Sequence, residues 1–185
     1  MKRIICILFA SAAIMARAEI KMPSFFADGM VLQQLSACKL WGTATKDAAI
    51  SVTTSWDGMT YETRATDEGT FELTVRTPRA GGPFTITLSE NDSQNTSHTS
   101  HPSPLTSESA PLTIKTYVGE VWLCSGQSNM EMTMKGFKGQ PVEGATEELL
   151  QCRDSLLHLF TVKRNPQLLP QTDVTGQWSE ATTAS

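Results

Sequence analysis

Val118-Gly119-Glu120-Val121-Trp122-Leu123-Cys124-Ser125-Gly126-Gln127-Ser128-Asn129-Met130-Glu131-Met132 is the stretch that decides how the chain is read. An apolar run, Val118, Val121, Trp122 and Leu123, has the character of a strand and stops at the small residues Ser125 and Gly126. Ser128 follows at once, between the amides Gln127 and Asn129. The pattern predicts a strand feeding a tight turn, with Gly126 adopting backbone angles that other residues resist. A serine at the start of a helical turn has backbone N–H groups beside its hydroxyl, which suits a nucleophile that carries part of its own oxyanion site.

Working outward toward the N-terminus, short segments alternate apolar and polar residues in Thr-rich sequence: Val31-Leu32-Gln33, Lys39-Leu40-Trp41, Ile50-Ser51-Val52-Thr53, Tyr61-Glu62-Thr63, Phe71-Glu72-Leu73-Thr74-Val75 and Phe84-Thr85-Ile86-Thr87-Leu88. Turn residues separate them at Asp57-Gly58, Asp67-Glu68-Gly69 and Gly81-Gly82-Pro83. Phe71, Leu73 and Val75 share one face, with Glu72, Thr74 and Arg76 on the other, as in an antiparallel sheet wetted on one side. The succession predicts a small β-sandwich over residues 19–114. Trp41 and Trp56 are candidates for a sugar-stacking platform, but single aromatics in strands more often pack, so Trp41 is expected in the core and Trp56 beside a hairpin. From Ser89 to Ala110 the rhythm breaks into Ser, Thr, Asn and Pro, which predicts a solvated loop. His98 and His101 lie in it without acidic or thiol neighbours and make a poor metal cage.

Toward the C-terminus, residues 132–144 are Gly- and Lys-rich and read as a loop over the serine. Residues 143–153 set Ala145, Leu149, Leu150 and Cys152 among Glu147, Glu148 and Gln151, an amphipathic helix with acids near its start. Leu156-Leu157-His158-Leu159-Phe160-Thr161-Val162 is an apolar run of strand length. The order strand, helix, strand predicts a βαβ unit of a parallel sheet over residues 115–185.

The stretch Gly119 to Met132 resembles the first sequence block of the sialate O-acetylesterases, a branch of the SGNH (GDSL-like) hydrolases. Asp28-Gly29-Met30-Val31-Leu32-Gln33-Gln34, Leu40-Trp41-Gly42 and Ala80-Gly81-Gly82-Pro83-Phe84 are similar to that family's N-terminal β-domain, and Leu159-Phe160-Thr161-Val162 and Asp173-Val174-Thr175-Gly176-Gln177-Trp178 also resemble it. The resemblance implies an antiparallel β-sandwich followed by the start of an α/β, flavodoxin-like hydrolase domain. It implies ester hydrolysis of acetylated sugars without metal or other cofactor, with Ser128 as nucleophile and oxyanion donor and Gly126, Gln127 and Asn129 in support.

A serine hydroxyl needs a base, and the base an orienting group. The family takes both from a downstream Asp-x-x-His segment, and the 185 residues contain none. Asp154-Ser155-Leu156-Leu157-His158 has one residue too many, and its histidine sits in an expected core strand. The chain is therefore expected to be the N-terminal portion of an esterase. Two alternatives stand beside it: a non-catalytic carbohydrate-binding or scaffold protein, and, among enzymes, an acetyl xylan-type esterase.

Composition narrows the partners. A net charge of −4 with scattered basic residues gives no footprint for nucleic acid. Lys2 and Arg3, an apolar run to Met15 and Ala16-Arg17-Ala18 read as a signal peptide over residues 1–18, with Glu19 the expected mature N-terminus and a secreted or periplasmic location. The run is too short for a permanent span, and no later stretch is apolar enough for one. Past the leader, Cys38, Cys124 and Cys152 permit at most one internal disulfide, and Cys124 is expected to be a buried small hydrophobe at a strand end.

Overall fold

A computed structural model describes residues 19–91 and 110–182. The expected leader, most of the expected loop with His98 and His101, and the last three residues lie outside the described residues.

The alternating segments form strands where the pattern places them: β1 (Met30–Gln33), β2 (Ala37–Thr43), β3 (Ala49–Thr54), β4 (Thr60–Arg64), β5 (Thr70–Arg76) and β6 (Gly81–Asn91). In β5, Phe71, Leu73 and Val75 are buried and the residues between them exposed, as the period-two reading requires. The strand expected from Val118 onward lies earlier, as β7 (Leu112–Gly119), whose inward row, Ile114, Thr116 and Val118, includes a polar residue that masks its period. Thr116 is fully buried and offsets that burial by donating its hydroxyl to the carbonyl of Met30 at 3.2 Å. β7 also runs across position 114, where the first domain was expected to end.

Five strands make one mixed sheet in the order β1-β7-β6-β3-β4, and β2 and β5 pair as a separate antiparallel ribbon. The β1–β7 pair is parallel, Met30 opposite Thr116 and Gln33 opposite Gly119, where an all-antiparallel sheet was expected. The mixed sheet curls so that β4 meets the ribbon: Thr63 donates its hydroxyl to the carbonyl of Glu72 at 3.0 Å, and the Tyr61 hydroxyl accepts from the Arg76 amide at 3.3 Å. Leu40, Phe71, Leu73 and Val75 from the ribbon share one core with Met30, Ile50, Val52, Ile86, Leu88 and Ile114 from the sheet.

Two boundaries move. The expected turn at Gly81-Gly82-Pro83 opens β6, with irregular pairing to β7 between Gly81 and Phe84. At its other end β6 continues through Ser89 to Asn91, past the expected break, because both residues pair with β3 and the Asn91 amide donates to the Ser51 hydroxyl at 3.2 Å.

The second half departs further from expectation. A helix, α1 (Ala145–Gln151), and a strand, β8 (Asp154–Phe160), form in the predicted order. β8 pairs antiparallel with β9 (Trp178–Ala181), however, and among the described residues no parallel βαβ unit forms with the strand before the serine. Both edges of β7 are already taken, by β6 and β1. The run after β7 is not a strand, and Trp122 and Leu123 are 83% and 92% exposed. Leu156 of β8 is likewise 83% exposed, so the apolar run there is not core. What holds the β8–β9 pair is contact with the N-terminal stretch: the Trp178 indole donates to the carbonyl of Phe25 at 2.7 Å, and His158 Nδ1 lies 2.6 Å from the carbonyl oxygen of Gly29.

Candidate active-site segment

The serine segment leaves the sheet at the end of β7 and is fixed there by two glutamines at the end of β1, Gln33 as its last residue and Gln34 as the next. Gln33 Nε2 and Gln34 Nε2 donate to the two carboxylate oxygens of Glu120 at 2.9 and 2.6 Å. Gln33 Oε1 accepts the Val121 amide at 2.9 Å, Gln34 Oε1 accepts the Ala80 amide at 2.9 Å, and the Gln34 amide donates to the carbonyl of Gly119 at 2.8 Å. These donors, Gln33 before Gln34, hold the Glu120 carboxyl below its ordinary pKa. The family resemblance at Gln33-Gln34 carries no indication of this partnership with Glu120. The signal was present as two adjacent amides closing a strand and an acid opening the serine block.

Beyond the anchor the backbone has no regular pairing until a short 3-10 helix, Ser128–Glu131. Ser128 occupies its first position and is exposed, with Gln127 extended just before it. The Met130 amide closes the turn on the carbonyl of Gln127 at 2.9 Å. Gly126 does not adopt a left-handed backbone, so its expected role changes. A Cβ there would meet Met130 Cγ at 2.8 Å, and the glycine serves close packing of the turn rather than unusual dihedrals. Glu131 reaches Arg164 at 3.4 Å, a link between the turn and the segment after β8. Cys124 is exposed in this irregular stretch, contrary to the buried position expected, and Cys38, Cys124 and Cys152 are all free thiols.

His158 docks on the β-rich part. Its ring lies 4.4 Å from that of Tyr117, Nδ1 faces the carbonyl of Gly29, and Nε2 lies 3.1 Å from the carbonyl of Ser155. Carbonyl oxygens only accept, so a neutral ring donates to one of the two, and which nitrogen carries the hydrogen depends on the tautomer. Asp154 accepts the Leu156 amide at 2.8 Å and makes no pair with His158. Among the described residues, then, Gly126, Gln127, Ser128 and Asn129 come together and no base joins them. The two tryptophans weighed as a sugar platform separate. Trp56 is packed edge-on against Phe84 and donates to the carbonyl of Arg76 at 3.0 Å, whereas Trp41 packs on Phe25 and Phe26 and also lines a cleft.

Comparison with known proteins points one way. No family model matches the chain. A sialate O-acetylesterase of Rattus norvegicus is 30% identical over 122 residues, 62% of this chain and 20% of that protein. A sialate O-acetylesterase of Homo sapiens is 26% identical over 174 residues, 88% of this chain and 29% of that protein. Among solved structures, a carbohydrate acetylesterase from Xanthomonas citri superposes with a TM-score of 0.72 at 26% identity, over 89% of this chain and 33% of that one. The mostly-sheet fold is thus close to that of a carbohydrate acetylesterase. The chain resembles the sialate O-acetylesterases, as its serine block does, and spans about a fifth to a third of the length of the curated relatives it matches.

Proposed function

We propose that the chain carries the nucleophile segment of a serine acetylesterase acting on acetylated sugars, and that it works outside the cytoplasm after loss of its leader. In this reading the β-rich part is a sandwich that supports the start of an SGNH hydrolase domain. Ser128 Oγ attacks the acetyl carbonyl carbon as its proton passes to a base. The tetrahedral oxyanion rests on the Ser128 backbone N–H, with Gly126, Gln127 and Asn129 shaping the turn around it. Collapse releases the sugar hydroxyl, which takes the proton back, and leaves an acetyl ester on Ser128. Water then adds to that ester, acetate departs, and the serine is restored. The base and its orienting acid come from outside the described residues. Sialic acids and acetylated xylans are both within the reading.

The observation that carries this reading is the exposed Ser128 at the head of a turn, in a block tied to the sheet through Glu120. Likeness to named acetylesterases supports it independently. The test is hydrolysis of an acetylated sugar and an aryl acetate by the full-length protein and its Ser128→Ala variant, with and without a metal chelator. Ser128→Ala should lower kcat by about a thousandfold or more with KM little changed, since alanine removes the attacking atom and little binding surface. Undiminished turnover in the variant, or turnover abolished by the chelator, overturns the mechanism. The docking of His158 on Gly29 and Tyr117 favours one other reading, a non-catalytic carbohydrate-binding protein, which predicts no Ser128-dependent turnover at all.

A further inference from the structure

The outer face of the β2–β5 ribbon forms the floor of a cleft of about 860 Å³. One wall is the N-terminal stretch at Lys21, whose amide and carbonyl pair with those of Thr43, each at 2.8 Å. A second wall is the stretch from Gln171 to Asp173. Three tethers hold that wall: the Trp41 indole donates to the carbonyl of Thr172 at 3.1 Å, the Ser24 amide donates to Asp173 Oδ1 at 2.7 Å, and the Ser24 hydroxyl donates to the carbonyl of Val174. The cleft is therefore built from stretches far apart in sequence that specific bonds join, and it includes none of the residues around Ser128.

Its lining combines three chemistries. The half-exposed indole of Trp41 gives a flat apolar surface, braced from behind by edge contacts with Phe25 and Phe26 at 5.2 and 4.9 Å between ring centres. Thr43 and Thr70, opposite each other in the β2–β5 register, add hydroxyls along the floor. Lys39 and Glu72 form an ion pair at 2.8 Å at the edge, and Lys21 and Arg64 add positive charge. An aromatic plane rimmed by hydroxyls and paired charges matches the apolar ring face and polar equatorial groups of a pyranose. The volume lies within the range of small-ligand clefts, which run from about 300 to 1,000 Å³.

We propose that this cleft is a carbohydrate-binding site separate from the serine segment, with a sugar ring stacked on Trp41 and its hydroxyls shared between the threonines and the Lys39–Glu72 pair. The inference goes beyond the esterase reading and does not depend on it, because binding here needs no turnover. The experiment is NMR of 15N-labelled protein titrated separately with a neutral sugar, cellobiose, and an acidic one, 3′-sialyllactose. The Trp41 indole N–H and the Thr43 and Thr70 amides should shift saturably with at least one of them. A response to the acidic sugar alone assigns the positive edge at Lys21 to its carboxylate; a response to cellobiose assigns the site to neutral rings. Glu72→Gln, a change at an exposed side chain, should weaken binding about tenfold or more, the worth of one lost charge-assisted hydrogen bond. Trp41→Leu should abolish it in a protein whose remaining spectrum is retained, and Ser128→Ala should bind as the parent does. Unmoved cleft resonances with both sugars, shifts confined to residues 120–137, or binding unchanged in folded Glu72→Gln and Trp41→Leu proteins would overturn the proposal.

Discussion

Gln33 and Glu120 meet through both ends of one amide: Gln33 Nε2 donates to the Glu120 carboxylate at 2.9 Å while Gln33 Oε1 accepts the amide of Val121, the next residue, at 2.9 Å. The last residue of β1 thereby grips the chain where it leaves β7, eight positions before Ser128. With Gln34 on the other carboxylate oxygen, the exit of the serine segment is set by the sheet rather than by the segment itself.

This anchor is expected to respond to pH. The Glu120 carboxyl is held below its ordinary value of 4.5 by the Gln33 and Gln34 amides. A depressed carboxylate pKa contributes its stabilisation above the unfolded value and loses it as pH falls through the lower folded one. Protection of the Val121 amide, taken as its exchange relative to the intrinsic rate at each pH, should therefore fall on acidification below the ordinary carboxylate range, ahead of protection in β3 and β6. Glu120→Gln should show low protection at Val121 already at neutral pH, with little further change in protection on acidification. Equal, pH-independent protection in both proteins would contradict the anchor.

Side chains in the shared core and on β8 should differ sharply in their tolerance of truncation. Leu88 is fully buried, and Leu88→Ala should cost about 2–5 kcal/mol. Leu156 is 83% exposed, so Leu156→Ala should fall within about 0.5 kcal/mol of the parent. Urea unfolding of the two variants measures both, and a large loss from Leu156→Ala would mean that this face is covered in solution.

Gly42 lies where two backbones approach. A Cβ on it would come within 2.3 Å of the Lys21 carbonyl oxygen, so Gly42→Ala must push the N-terminal stretch off β2. The expected outcome is a loss of about 1–3 kcal/mol together with faster exchange of the Lys21 amide, which otherwise bonds Thr43. Unchanged exchange at Lys21 would contradict the close approach.

The history of particular residues explains what was legible in the sequence. Phe71, Leu73 and Val75 announce β5 because burial on one face imposes a period of two that is visible locally. Thr116 obscures β7 because its burial depends on the Met30 carbonyl, a partner 86 positions away. Strand pairing is less local still: nothing in the sequence around Phe160 says that it will lie opposite Trp178 rather than beside β7. At the candidate site the exposed serine and its amide neighbours were readable from a compact motif. The Glu120 anchor and the docking of His158 on Gly29 were not, since each joins residues that only the fold brings together.

The most direct test of the account is to find where an acyl group lands. Full-length protein mixed with an aryl acetate and quenched early should carry one added acetyl group, which peptide mapping by mass spectrometry assigns to Ser128, and the Ser128→Ala protein should carry none. Acetylation at another residue, or an acetyl-free enzyme that still releases acetate at an undiminished rate after Ser128→Ala, would contradict the assignment of Ser128 as the nucleophile.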